Sequence, residues 1–195
     1  MVYIINFFIF AIYLHAPIMR QFSVTIILFS LIWITTYSQE NTETFMNQKL
    51  EAMNKLSFMT GSWEGTGWIQ MGNGSKETFK VSETVQKKLR GLVYLIEGHG
   101  TTGGDTTHNA IAIISWDAEK KEYSFESHTF DGRSADASAV LEGKNFTWGF
   151  DIPGRGKIRY DLKITEDNKW NEKGFFSPDG DTWYPFMEMN LERIR

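Results

Sequence analysis

No cysteine occurs among the 195 residues, only four prolines interrupt them, and histidine is equally scarce. Without thiols the chain has no disulfide framework, no thiolate metal site and no cysteine nucleophile, although it remains compatible with an oxidising compartment. The few histidines (His99, His108 and His128 in the body of the chain) stand in no metal-binding spacing such as H-E-x-x-H. No G-x-S-x-G elbow is present and no catalytic triad assembles from spacing. Positive charge is also short: 20 Lys and Arg face 24 Asp and Glu, for a net charge of -4. That balance disfavours nucleic acid or an anionic membrane surface as partner.

Long hydrophobic runs are lacking too. The residues through Leu14 are almost wholly apolar, and a second run spans Phe22 to Trp33, each shorter than the roughly 20 residues a membrane span needs. Only the second has signal-peptide grammar. Arg20 supplies the positive flank, Phe22 to Ile34 the apolar region, and Thr36-Tyr37-Ser38 the small residues at alternate positions. The expectation is export with cleavage near Ser38, secreted or periplasmic, with Met19 as the functional start and residues 1–38 as upstream extension plus signal peptide. A pair of uncleaved helices is the alternative. Removing a segment whose only formal charge is Arg20 lowers the net charge from -4 to -5. It leaves about 155 residues, one domain and enough chain for a single core.

Residues 39–57 form a polar lead-in and a short helix. Met46, Leu50, Met53 and Leu56 recur three or four apart, so one face is apolar. This helix either plugs the end of the following domain over Trp63 and Gly65 or lies on its outside.

From residue 58 to the C-terminus, period-two runs alternate with turn signals, the pattern of an antiparallel meander. Strands are expected near 62–71, 76–88, 91–101, 107–117, 121–131, 134–142, 145–153, 156–166, 169–177 and 182–194. Ten long strands with short turns favour an all-β, up-and-down antiparallel barrel over a two-sheet sandwich. Pro185 lacks an N–H and calls for a bulge in the last strand. The literal G-x-G-x-x-G at Gly98 to Gly103 precedes an alternating β-branched run instead of a helix, so it reads as a strand end and hairpin.

Alternation also assigns the inward faces, because one side of each strand must be apolar. Ile158, Tyr160, Leu162 and Ile164 share one face, and Phe146, Trp148, Phe150 and Ile152 another. Ala135, Ala137 and Ala139 make a third unusually small, so the barrel is expected to be hollow beside them. Glu83 and Glu172 fall on otherwise apolar faces, where a carboxylate needs a partner such as Lys87, a tyrosine hydroxyl or a ligand. The candidate ligand-binding set is Glu83, Tyr94, Tyr123, Ser127, Ala137, Tyr160 and Glu172, apolar in the main with a few placed polar groups. The two glutamates are also a candidate carboxylate pair for acid/base chemistry.

The stretch Gly61-Ser62-Trp63-Glu64-Gly65-Thr66-Gly67 sets glycines at alternate positions on the face of a tryptophan, letting another element cross close to the strand. It resembles the G-x-W opening of the calycin superfamily, the lipocalins and fatty-acid-binding proteins. The longer G-x-W-x-G-x-G form is similar to nitrobindin-like barrels and to secreted bacterial lipocalin-like proteins of unknown function. The phrases Trp116 to Tyr123, Asp131 to Ser134 and Lys169 to Gly180 extend the likeness, which runs from Leu56 to the C-terminus. It implies a small, largely apolar or amphipathic ligand inside the barrel, and an arginine of the last strand, here Arg193, packed across Trp63. Nitrobindin-like barrels hold haem through a histidine near the C-terminus. The matching region, Asp181 to Leu191, has none and offers only Met187 and Met189 as iron ligands, so no cofactor is expected and a haem-binding barrel is kept as the alternative.

Overall fold

The computed structural model describes residues 43–195. The stretch expected to be upstream extension and signal peptide, and the first residues of the lead-in, lie outside them. The chain divides into two units, Met1–Met46 and Asn47–Arg195. Of the first, residues 43–46 are described; they are helical, with Met46 exposed.

The second unit opens with helical residues 47–54 (α1), followed by a 3₁₀ turn at Ser57–Met59. Ten strands follow: β1 Gly61–Gln70, β2 Lys76–Lys88, β3 Val93–Thr102, β4 Asp105–Asp117, β5 Glu122–Thr129, β6 Ser134–Glu142, β7 Asn145–Ile152, β8 Gly156–Ile164, β9 Lys169–Ser177 and β10 Tyr184–Arg193. Every strand pairs antiparallel with its chain neighbours, and β1 pairs with β10, so the sheet closes into a barrel without crossovers. The meander inferred from alternation is therefore the observed architecture, with strand limits within a few residues of those expected. Pro185 lies at a register shift between β10 and β9, as its missing donor requires.

The inward faces follow the sequence pattern. Trp63, Val85, Tyr94, Ile114, Phe146, Leu162, Trp170 and Leu191 are all buried in one core cluster. These positions lie at the starts of β1, β3, β7 and β9 and the ends of β2, β4, β8 and β10. In an up-and-down barrel those are one and the same end. Met53, Leu56 and Met59 join the cluster at 0% exposure, so the amphipathic segment plugs this end. Tyr123 fastens it by donating from its hydroxyl to the Ala52 carbonyl at 2.7 Å.

Trp63 is the centre of the plug. It is fully buried, donates from Nε1 to the Met59 carbonyl at 2.9 Å, and meets Trp170 edge-on with centroids 5.5 Å apart. The Arg193 guanidinium sits 4.0 Å from its ring centroid and donates to the carbonyls of Thr60 and Phe58. The guanidinium thus serves three carbonyl-rich or π-rich surfaces at once, as a delocalised cation can. At Gly65 an added Cβ would run into the Asn190 carbonyl and the Leu191 backbone. The glycines of this strand are what allow β1 and β10 to close the barrel seam.

Candidate functional site

Beyond the plugged end the inward residues change character. The middle of the barrel carries Glu83 on β2, Gly98 on β3, Ala112 on β4, Ser127 on β5, Ala137 on β6, Trp148 on β7, Tyr160 on β8 and Glu172 on β9. Of the seven residues singled out from sequence, Glu83, Ser127, Ala137, Tyr160 and Glu172 share this layer. Tyr94 and Tyr123 stand at the plugged end instead. The Tyr123 hydroxyl is committed to α1, and the Tyr94 hydroxyl is buried without a hydrogen-bond partner among the described residues.

The alanine face is not the void expected of it. Phe125 pairs with Ala137 across β5 and β6, and Ala139 pairs with Trp148 across β6 and β7. With only methyl groups between them, the two rings lean over β6 and stack, centroids 4.0 Å apart and planes 19° apart. Trp148 stacks in turn on Tyr160, at 4.2 Å and 14°. Small residues on one strand thereby give a continuous aromatic slab, Phe125–Trp148–Tyr160, instead of a hole. Tyr160 in turn needs Gly174 behind it, where an added Cβ would lie 3.0 Å from its ring.

The two glutamates do face inward, each 7% exposed. Glu172 accepts a hydrogen bond from the Trp170 indole at 3.1 Å. For Glu83 no hydrogen-bond donor is found among the described residues. Lys87, the partner considered from sequence, is engaged elsewhere: its ammonium donates to Asn54 at 3.2 Å and sits over the Tyr94 ring. The Glu83 carboxyl lies over Gly98, where a Cβ would come within 2.7 Å of Oε1. Glycine 98 therefore makes the niche that this carboxyl occupies, a role invisible in sequence because the niche exists only once β2 and β3 pair.

Electrostatics follow from this burial. Desolvation pushes the Glu83 carboxyl up to about 8, and the negative charge of Glu172 adds to the rise. Glu172 is raised by burial to about 7, opposed by hydrogen bonds from the Trp170 and Trp148 indoles. Tyr160 is held above the usual phenol range by burial first and by Glu172 second. At neutral pH the pair therefore shares protons, with Glu83 the more strongly protonated partner.

The far end is lined less tightly. Phe79, Ala135, Ile152, Ile158, Phe176 and Met187 face inward there and are all half-buried. An apolar cleft of about 440 Å³ opens beside this rim, with Ile158, Phe176 and Phe186 among its walls. On another part of the rim His108 is lowered below the usual imidazole range by burial and by the Arg133 charge, while Arg133 itself is clamped to Asp131 at 2.6 Å. His128 is exposed, on the outer face, as alternation required. Gly103 and Gly104 turn the β3–β4 hairpin at φ of +61° and +100°, which confirms that the G-x-G-x-x-G string is not a phosphate loop.

The two methionines of the last strand are used in packing: Met189 belongs to the core cluster and Met187 packs against it.

Residues 48–193 match the model of a family described as a protein of unknown function, DUF1579. The chain belongs to that family. Its DUF1579 barrel is similar to the crystal structure of Rv2717c from M. tuberculosis, with a TM-score of 0.53 and 11% identity over 75% of this chain and 97% of that one. It is also similar to the S-type phycobiliprotein lyase CPES from Guillardia theta, with a TM-score of 0.52 and 6% identity over 74% and 92% of the two chains. At such identities the likeness is one of fold. No curated protein matches the DUF1579 sequence.

Proposed function

We propose that this protein is an exported, calycin-related barrel that binds one small, largely apolar or amphipathic molecule in the half of its interior away from α1. The observation that carries the reading is Glu83. A carboxylate nine-tenths buried, with no donor among the described residues, costs stability that a purely structural barrel would recover by placing an apolar residue there. A ligand group supplies the missing partner. The aromatic slab beside it and the apolar cleft at the rim have the character of a pocket wall with few polar anchors. Kinship with lipocalins draws support from the Arg193–Trp63 packing, and export from the Arg20-led apolar segment that ends near Ser38. Among the described residues no helix is long and apolar enough to cross a membrane.

The test is native mass spectrometry of the protein purified from its own periplasm or culture medium. The reading predicts an adduct of a few hundred daltons that disappears on denaturation, on a chain beginning at or near Gln39. A ligand-free chain that also fails to take up an apolar dye would end it. The same two carboxylates favour a second reading, a barrel enzyme of isomerase or cyclase type in which they act as acid and base. One barrel of similar fold is a lyase by its printed name. Turnover of the recovered molecule, rather than its unchanged release, separates the two.

A further inference from the structure

Resting on that reading, we infer that the ligand's polar end is a cation, an organic ammonium group on a flat apolar body, seated between Glu83 and Glu172. Three independent features of the chamber converge on this class. The Glu83 carboxyl has no hydrogen-bond donor among the described residues and projects over a niche that only glycine at 98 leaves open. An ammonium group, with its three N–H donors and no acceptor, supplies the donors that the Glu83 carboxylate lacks once it is ionised. Second, the two acids stand together in one layer, and Glu172 already takes donors from the Trp170 and Trp148 indoles. An anionic ligand entering here would meet the negative charge that the pair shares, without a cation at hand. Third, the wall next to Glu172 is the Phe125–Trp148–Tyr160 slab. Its rings cover one another's faces, so the stack bounds the site with an apolar wall of ring edges, against which a flat apolar body packs.

The charged groups around the chamber leave this assignment standing. Lys87, on the same strand as Glu83, is tied to Asn54. Arg133, in the β5–β6 turn at the rim, is paired with Asp131. His108, on β4 at the rim, is lowered below the usual imidazole range by burial and by the Arg133 charge. Tyr160 is held above the usual phenol range by burial and by Glu172, so it stays a neutral hydroxyl. No cation of the described barrel therefore competes for the pair.

Binding has a proton consequence. Near neutral pH the pair holds a proton that a bound ammonium disfavours, so uptake of the cation releases it: the carboxylic acid and the free ammonium become an ion pair in the chamber plus one proton in solvent. The charge inside the barrel then stays balanced, which a buried ion pair requires.

Three probes of one shape separate the possibilities: naphthylmethylamine, its neutral counterpart naphthylmethanol, and the anion naphthoate. Isothermal titration at pH 7 in phosphate and in Tris, buffers of very different ionisation enthalpy, reads affinity and proton release together. The inference predicts that the amine binds at least about tenfold more tightly than the alcohol, that naphthoate binds weakest, and that only the amine releases protons. Glu83→Gln and Glu172→Gln should each narrow the ratio of amine to alcohol affinity, and Glu83→Gln should remove most of the proton release. Equal binding of amine and alcohol, or a preference for naphthoate, overturns the cation assignment while leaving a ligand-binding barrel. Failure of all three probes and of Nile red overturns both.

Discussion

Trp63, Leu56, Met53 and Met59 are all at 0% exposure where α1 closes the barrel, and three polar side chains tie that end together: the Trp63 indole on Met59, the Tyr123 hydroxyl on Ala52, the Arg193 guanidinium on Thr60 and Phe58, with the Tyr94 and Thr60 hydroxyls buried without a partner among the described residues. A few residues further along the same strands, the inward positions are Gly98, Ala112 and Ala137, interrupted by Glu83 and Glu172. One half follows the rules of a stable core, with large apolar side chains packed against one another. The other departs from them with two partly satisfied carboxylates facing a stacked aromatic wall. Departures from packing rules gather where a protein does something besides fold, which is why the functional reading is placed in the second half.

The largest effect expected from breaking this contrast is at the plug. Trp63→Ala removes a fully buried indole and should cost about 3 to 5 kcal/mol in denaturant unfolding. An unchanged unfolding midpoint would mean that α1, not Trp63, organises that end. Next comes the slab: Ala137→Phe forces a third ring under Phe125 and Trp148 and should destabilise the barrel by roughly 1 to 3 kcal/mol through overpacking. Tolerance of the ring at full stability would show room beside β6 after all. The smallest effect is at the seam, where Arg193→Ala loses two carbonyl hydrogen bonds and a ring contact at a half-buried site. It should cost about 1 to 2 kcal/mol, read as a shift in thermal midpoint smaller than that of Trp63→Ala.

The fold was legible in the sequence because alternation in strands such as Phe146–Ile152 and Ile158–Ile164 fixes both period and face, and because Gly and Asp punctuate the turns. The inward orientation of Glu83 and Glu172 followed from the same periodicity. The stack over β6 was not legible, since alternation tells which side chains point inward but not how far rings from β5 and β7 reach across a row of alanines. Nor was the Gly98 niche, which depends on the register of β2 against β3. Tyr123 shows the same limit from the other side: its face was read correctly, yet its hydroxyl belongs to α1, a contact across 71 positions of sequence. The readings on residues 1–38, including the Met19 start and cleavage near Ser38, lie outside the described residues and stand as proposals.

The central claim is that Glu83 is kept at a cost to the fold. Its carboxyl is raised from 4.5 to about 8 in the folded chain, so the folded state holds a proton that the unfolded chain gives up above about 4.5. Any stability tied to that proton is full below pH 4.5 and drains away as pH rises toward 8. Chemical unfolding of the wild type and of Glu83→Gln, each at pH 5 and pH 8, measures it. The account predicts that the wild type loses on the order of a few kcal/mol across this interval, that Glu83→Gln loses clearly less, and that the variant is the more stable protein at pH 8. A variant less stable than the wild type at pH 8, with the same dependence on pH, would make Glu83 a satisfied structural carboxylate and contradict the division of the barrel into a core half and a binding half.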